Sequence, residues 1–170
     1  PLAAGHAVPM QSAEAEQVGR FYDQIRDYWR ALSDHGRAQE VPGALNFGFW
    51  PSGIESLSAA QAALFDLVES LAAPRSGDRI LEVGCGQGGF SERLAERHGC
   101  PVLGLDLLPT HIAHARGRGS TARFEVACAT RMPVSDGWAT HLVCVESAFH
   151  YADKSAFFEE AFRALGEGGR

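Results

Sequence analysis

The sequence predicts an α/β domain built on a parallel sheet, and three observations carry that prediction. From Asp78 onward, short apolar runs alternate with helical stretches, the pattern of strands joined by helical crossovers. The run Ile80–Val83 enters a glycine-rich turn, Gly84-Cys85-Gly86-Gln87-Gly88-Gly89, immediately ahead of a helical pattern. The next apolar run ends on Asp106, about 20 residues after that turn, the spacing of a carboxylate at the tip of a second strand.

Length and composition agree with one compact domain. The chain has 170 residues, against a prior of about 150 per domain. Apolar residues make up 45%, with 10 Phe, 3 Trp and 3 Tyr, enough to bury a core. Lys and Arg number 15 against 21 Asp and Glu, a net charge of −6. No block of five like charges occurs, so a nucleic-acid footprint is not expected. The long apolar stretch Ala59 to Leu71 is broken by Gln61, Asp66 and Glu69, which leaves no run of the roughly 18 residues a membrane span needs. Pro1 to Met10 has neither a basic segment nor a continuous apolar one, so no signal peptide is read there and a flexible arm over 1–11 is expected. Cys85, Cys100, Cys128 and Cys144 form no CxxC pair, so reduced thiols, a cytoplasmic setting and no metal site are expected.

The elements follow in order. Val18, Phe21, Ile25, Trp29 and Leu32 recur at three and four residues, predicting an amphipathic helix over 13–33. Residues 41–53 combine Pro42, Gly43, Gly48, Pro51 and Gly53 with Phe47, Phe49 and Trp50, a loop whose large apolar side chains must pack on something. A second helix begins near Ser56, with Leu57, Ala60, Leu64, Leu67 and Leu71 as its stripe, and ends near Pro74 to Gly77. Strands are predicted at 79–83, 102–106, 124–127 and 141–145, and helices at 90–98, 109–116 and 155–165. Phe158, Ala161, Phe162 and Leu165 form the stripe of the last helix.

The chemistry concentrates where the first strand meets the glycines. Gly84, Gly86 and Gly89 satisfy GxGxxG; without a Cβ the backbone can approach a ligand closely, and the following helix offers free N–H groups. Asp106 can accept bonds from both hydroxyls of an unphosphorylated ribose. Together they indicate an adenosine cofactor, and spacing alone leaves NAD and S-adenosylmethionine both open. Glu82, two residues before the first glycine, suits a ligand with an ammonium and a sulfonium and would repel a pyrophosphate, which favours S-adenosylmethionine.

These residues resemble the class I S-adenosylmethionine-dependent methyltransferases, especially the bacterial small-molecule enzymes of the ubiquinone/sterol methyltransferase type. The resemblance spans roughly residues 15–170. ILEVGCGQGG is similar to the first family motif, GLDLLPTHIAHA to the second, and RMPV, VESAFHY and RALGEGGR to the segments after strands three and four and before strand five. FYD at 21–23 and NFGFW at 46–50 resemble the N-terminal lid. The resemblance implies a Rossmann-like three-layer sandwich over 75–170 with a helical lid over 12–74. It also implies cofactor contacts from Tyr22, Glu82, Gly84, Cys85, Gly86, Gly88, Asp106, Leu107, Cys128, Ala129 and Glu146.

Cys128 stands where the family has an Asp against adenine, so adenine must be held by backbone groups or more weakly. His141 stands where an Asp enters strand four. The family sheet has seven strands, three of which would follow Arg170, so a fragment, a further C-terminal segment, a second copy or another chain is expected to complete the sheet. His150, just past strand four, is the candidate general base; a hydrogen-bonded structural His weighs equally. Trp50 and Phe49 are candidate walls for the acceptor, against plain packing of their loop. His111 and His114 read as a solvated helix face. The expected activity is S-adenosylmethionine-dependent methyl transfer to a small metabolite such as a natural-product hydroxyl, with no nucleic-acid or membrane partner. The alternatives are a catalytically silent methyltransferase-like module, a cofactor-dependent cyclase and an NAD-dependent dehydrogenase.

Overall fold

A computed structural model describes residues 13, 16–22, 24–25 and 42–170. Four strands, β1 (Ile80–Val83), β2 (Val102–Asp106), β3 (Arg123–Val126) and β4 (His141–Val143), form one sheet in the order β3-β2-β1-β4 with every pairing parallel. The α/β fold with a parallel sheet is therefore as the sequence predicts. β1 is buried along its whole length, as a central parallel strand covered on both faces must be.

Alternate strand residues sort the core into two layers. Ile80, Val102 and Val143 face Phe65 of α1 (Leu57–Ala72), Phe90 and Leu94 of α2 (Gly89–His98) and Ile112 of α3 (Pro109–Gly117). Leu81, Val83, Leu103 and Leu105 face Met132, Val134 and the Phe157/Ala161/Ala164 face of α4 (Lys154–Ala164). Capping follows local chemistry. Ser56 accepts from Ala59 N–H at α1, Asp153 accepts from Ala156 N–H at α4, and Pro109 occupies the first turn of α3, where its missing N–H would have had no partner anyway.

Two helix faces differ from the expected stripes. On α1 the buried residues are Ala60, Gln61, Ala62 and Phe65, while Leu67 is exposed and Leu71 is 73% exposed. Phe65 stacks on Phe90 of α2 at 4.5 Å, and beside it Asp66 and Glu69 pair with Arg93 while Glu69 hydrogen-bonds His98, which turns this face toward α2. On α4 the register is shifted by one: Phe157, Ala161 and Ala164 are buried, and Phe162 is 84% exposed. Phe157 wins because its ring meets Tyr151 edge-on at 4.9 Å under the sheet.

Residues 16–22 are helical; the rest of the expected helix beyond residue 25 and the arm over 1–11 lie outside the described residues. The loop after them is anchored by backbone rather than by its aromatic rings. Phe49 N–H donates to Ala60 O at 2.8 Å, Gln61 Nε2 donates to Asn46 O at 2.7 Å, and Phe47, Phe49 and Trp50 stay exposed. At the other end of the sheet Arg170 lies along the outer edge of β4, its N–H on Thr140 O and its O receiving Leu142 N–H. His141, buried there against Thr140 and Arg170, is structural and sits at the strand end opposite the glycine turn.

One close approach governs the α2–α3 side of the sheet. Gly88 caps α2 at φ 85°, and a Cβ there would lie 2.8 Å from both Ala115 Cβ and the Phe124 ring. Gly88→Ala should cost about 2–4 kcal/mol, from left-handed backbone plus overpacking. Gly117→Ala, with nothing within 4 Å of its Cβ, should cost nothing or stabilise by up to about 1 kcal/mol. Urea unfolding of the two variants measures the contrast.

Candidate functional site

The carboxyl ends of parallel strands leave a crevice where the chain turns to opposite faces, and here the turns after β1, β2, β3 and β4 all open onto one pocket. The glycine turn forms its floor. Asp106, the last residue of β2, holds that turn: its Oδ2 accepts from Gly86 N–H at 2.9 Å, and its Oδ1 accepts from Leu108 N–H at 2.9 Å and approaches His111 Nδ1 at 3.2 Å. A carboxylate has about four acceptor positions, so Oδ2 can take a further hydroxyl directly and Oδ1 can do so as His111 yields. Gly84, at φ 77°, passes so close to Ser147 that a Cβ would lie 2.3 Å from its side chain. Ser147 Oγ in turn donates to Val83 O at 2.9 Å and lies 2.8 Å from Tyr151 Oη. The turn is thus clamped from β2 on one side and from the segment after β4 on the other.

Burial sets the charge of the floor. Glu82 is 3% exposed and bonded to the Ser91 hydroxyl; desolvation pushes its carboxyl up to about 8, so it is mostly protonated at neutral pH. It therefore pins β1 to α2 as a neutral acid, which differs from the expectation of a standing anion beside the ligand. The same burial, with Glu82 and Asp106 adjacent, raises the Cys85 thiol far above its ordinary range, leaving it un-ionised.

The opposite wall comes from the N-terminal helical residues, the loop after residue 42 and the segment following β4. Tyr22 Oη stands 3.4 Å from His150 Nε2, and its ring meets His111 edge-on at 4.9 Å. Desolvation, reinforced by Asp106 and Glu146, raises Tyr22 to about 12, so it stays a neutral hydroxyl. Desolvation lowers His150 below the usual imidazole value, with Asp106 opposing, so His150 is a neutral base at pH 7. Glu146 adopts left-handed backbone at φ 49° and receives Phe47 N–H on Oε2 at 2.7 Å. Such a conformation costs a non-glycine residue energy and marks a position held by its surroundings. Here the carboxylate latches the loop to the end of β4.

Of the residues singled out in the sequence, Tyr22, Glu82, Gly84, Cys85, Gly86, Asp106, Leu107, Cys128, Ala129, Glu146 and His150 line this one pocket. Gly88, Phe49 and Trp50 are not among the lining residues. Gly88 packs into the core, and Trp50 Nε1 turns back onto Phe47 O at 2.8 Å. Five further polar positions were not singled out as site residues. Asn46, Thr130, Ser147 and Tyr151 line the pocket, and His111 braces Asp106. His111 is 8% exposed, contrary to the solvated face expected of it; its place five residues after Asp106, one turn into a helix begun by Pro109, was the available signal. Thr130, whose hydroxyl lies 3.1 Å from Cys128 Sγ, supplies oxygen beside the position where the sequence offers only sulfur.

The lining supports a definite ligand chemistry. Among the described lining residues are Glu82, Asp106 and Glu146 but no Lys or Arg. That set of carboxyl groups, with no cation beside it, fits an uncharged ribose and a cationic group, and it suits a pyrophosphate poorly.

Comparison with known proteins accords with this geometry. A family model described as "Methyltransferase domain" matches residues 80–169. Erythromycin 3''-O-methyltransferase of Saccharopolyspora erythraea is 28% identical over 148 residues, covering 83% of this chain and 48% of that protein; the chain thus spans about half the length of that curated relative. The crystal structure of the [4+2]-cyclase SpnF superposes with a TM-score of 0.77 at 25% identity, covering 89% of this chain and 56% of that one. Geranyl diphosphate C-methyltransferase from Streptomyces coelicolor A3(2), solved with Mg2+, geranyl diphosphate and S-adenosyl-L-homocysteine, shares the fold with a TM-score of 0.76 at 18% identity, covering 95% of this chain and 64% of that one.

The buried Glu82 makes stability depend on pH in a defined direction. Its folded value lies above the ordinary 4.5, so the protonated form favours folding below that value and the advantage disappears as pH rises through about 8. Glu82→Gln keeps the shape and cannot ionise. Thermal unfolding without ligand should find the variant close to the parent at pH 5 and more stable by up to a few kcal/mol at pH 9.

Proposed function

The chain belongs to the methyltransferase-domain family, and we propose that its pocket binds S-adenosylmethionine and passes the methyl group to a hydroxyl of a small, largely apolar acceptor. The observation that carries this reading is the pocket's charge: Asp106 and Glu146 beside a glycine turn, with no Lys or Arg among the described lining residues. A sulfonium ligand gains from that environment and a dinucleotide does not. The S-adenosyl-L-homocysteine in the structure of the geranyl diphosphate enzyme and the O-methylation named for the erythromycin relative support the same reading.

Asp106 would take the ribose, with Gly84 and Gly86 giving the backbone close approach. Cys128, Ala129 and Thr130 would flank the adenine. When bound, the cofactor supplies a methyl carbon on cationic sulfur, whose carbon–sulfur bond breaks with both electrons remaining on sulfur. His150 then has one task, accepting the acceptor's hydroxyl proton at Nε2 as the oxygen–carbon bond forms. Its neutrality equips it for that, and the 3.4 Å approach of Tyr22 is long enough that the lone pair is weakly engaged. Alignment of oxygen, methyl carbon and sulfur is the larger contribution, since a held near-attack geometry removes most of the entropic barrier. Phe47 and Phe149, exposed on residues flanking the Glu146 latch, would meet the acceptor's apolar body at the mouth.

Asp106→Ala should abolish S-adenosylhomocysteine binding, read by calorimetry, while a folded parent that prefers NADH would sink the proposal. With an acceptor found by following S-adenosylhomocysteine release across hydroxyl-bearing apolar compounds, His150→Gln should lower kcat by about a hundredfold to ten-thousandfold and leave cofactor affinity within about twofold. The parent's kcat/KM should fall on the acid side only below pH 6.5, because His150 titrates below that value. Cofactor binding without consumption of S-adenosylmethionine, alongside conversion of a polyene, would instead favour the cyclase reading that likeness to SpnF suggests.

A further inference from the structure

Asn46 is 5% exposed and lines the pocket, yet neither its Nδ2 nor its Oδ1 has a hydrogen-bond partner. Among the described residues these are the two buried side-chain polar atoms left in that condition. Buried polar groups are otherwise paired almost without exception, so an orphaned amide in a native fold calls for a reason. The loop does not let it swing away. Asn46 O receives Gln61 Nε2 at 2.7 Å, Phe47 N–H donates to Glu146 at 2.7 Å, and Gly48 is packed so tightly on Ala60 that a Cβ would come within 2.6 Å.

Its position along the sheet narrows what it faces. Leu45 lies over Gly86, and a Cβ on Gly43 would meet Gln87 O at 3.0 Å, so residues 43–46 cross the glycine turn and residue 47 reaches the end of β4. Asp106 and Cys128 lie on the other side, beyond β2 and β3. A donor with its ribose on Asp106 and its adenine toward β3 extends its amino-acid end toward β1 and β4, where Asn46 stands. That end carries an ammonium and a carboxylate together. Glu146, just past the end of β4, provides an acceptor for the ammonium, but the carboxylate finds no cation among the described lining residues and depends on neutral donors. A carboxamide offers both an acceptor and a donor pair.

Resting on the S-adenosylmethionine reading above, we propose that the Asn46 amide recognises the amino-acid end of the methyl donor, accepting from its ammonium and donating to its carboxylate. Asn46 is then a specificity-determining residue, and its loop carries the donor's recognition to the mouth where the acceptor enters.

The test compares affinities for S-adenosylhomocysteine and 5′-methylthioadenosine, which shares the adenosine and the sulfur but lacks the amino-acid end, in the parent, Asn46→Leu and Asn46→Ala. In both variants S-adenosylhomocysteine should weaken about tenfold or more, as expected for lost bonds to charged groups, while 5′-methylthioadenosine stays within about twofold. Without ligand, Asn46→Leu should unfold no earlier than the parent, since it removes an unpaired amide and keeps the bulk. Equal weakening of both nucleosides, unchanged S-adenosylhomocysteine affinity, or a raised acceptor KM with donor affinity intact would each overturn the assignment of Asn46. A parent that binds neither nucleoside would overturn the reading of the pocket itself.

Discussion

Glycines give a turn the freedom to approach a ligand and, by the same property, no reason to stay in one shape. Asp106 resolves that conflict. Its carboxylate holds Gly86 N–H on one oxygen and Leu108 N–H on the other, fixing the turn after β1 to the start of α3 across the strand boundary. The bond exists only because β1 and β2 pair in the register that sets Val83 against Leu105, which puts the end of β2 beside the turn. Register therefore fixes the turn, and the turn fixes the floor of the pocket. His111 completes the arrangement by steadying the same carboxylate from one turn into α3. The residue read as a ribose ligand is thus also a structural brace, and the two roles are compatible because an acceptor oxygen remains open.

Electrostatics around that brace explain why three carboxyl groups can share one pocket. Asp106 accepts the Gly86 and Leu108 N–H groups, one on each oxygen. Glu146 takes Phe47 N–H at the rim. Glu82, deepest of the three, avoids a third adjacent charge by staying protonated, with burial as the main cause and Asp106 a lesser one. A cation entering the pocket changes that balance, since each unit of positive charge in a poorly solvated site favours the ionised form of its neighbours. The site is consequently more acidic toward a cationic ligand than the neutral Glu82 by itself indicates.

Much of this was legible in the sequence, and what was legible was local. Strand runs, the glycine turn and the terminal position of Asp106 depend on residues adjacent in the chain, and each predicted strand, and each predicted helix from Leu57 onward, falls within a few residues of its predicted bounds. The helix faces were harder. α1 carries apolar residues on nearly every side, so its stripe could not choose between Leu67/Leu71 and Phe65; the Phe90 ring and Arg93, both on another helix, meet the Phe65 side. On α4, Phe157 and Phe158 compete at adjacent positions, and only the location of Tyr151 separates them. Asn46 was invisible for the same reason. Nothing in NFGFW tells which residue of the loop turns inward; that depends on Gln61 and Glu146, 15 and 100 positions away in the chain.

Three departures from ordinary folding economy now stand within one pocket: an unpaired buried amide at Asn46, a buried carboxyl at Glu82 and left-handed backbone at Glu146. Elsewhere the described chain follows local rules, with helices capped by Ser56 and Asp153 and left-handed turns given mostly to glycine. Where most local choices agree and three departures gather in one pocket, that pocket is where selection has acted for something other than stability. The three share a remedy. A ligand with a cationic group and a zwitterionic end would supply bonds to the amide and a counter-charge to the carboxyls, and it would rest against the loop that Glu146 holds. The fold thus carries the complement of such a ligand as interactions its own residues leave unmet, and the two apolar layers around the sheet are what allow it to remain folded while carrying them.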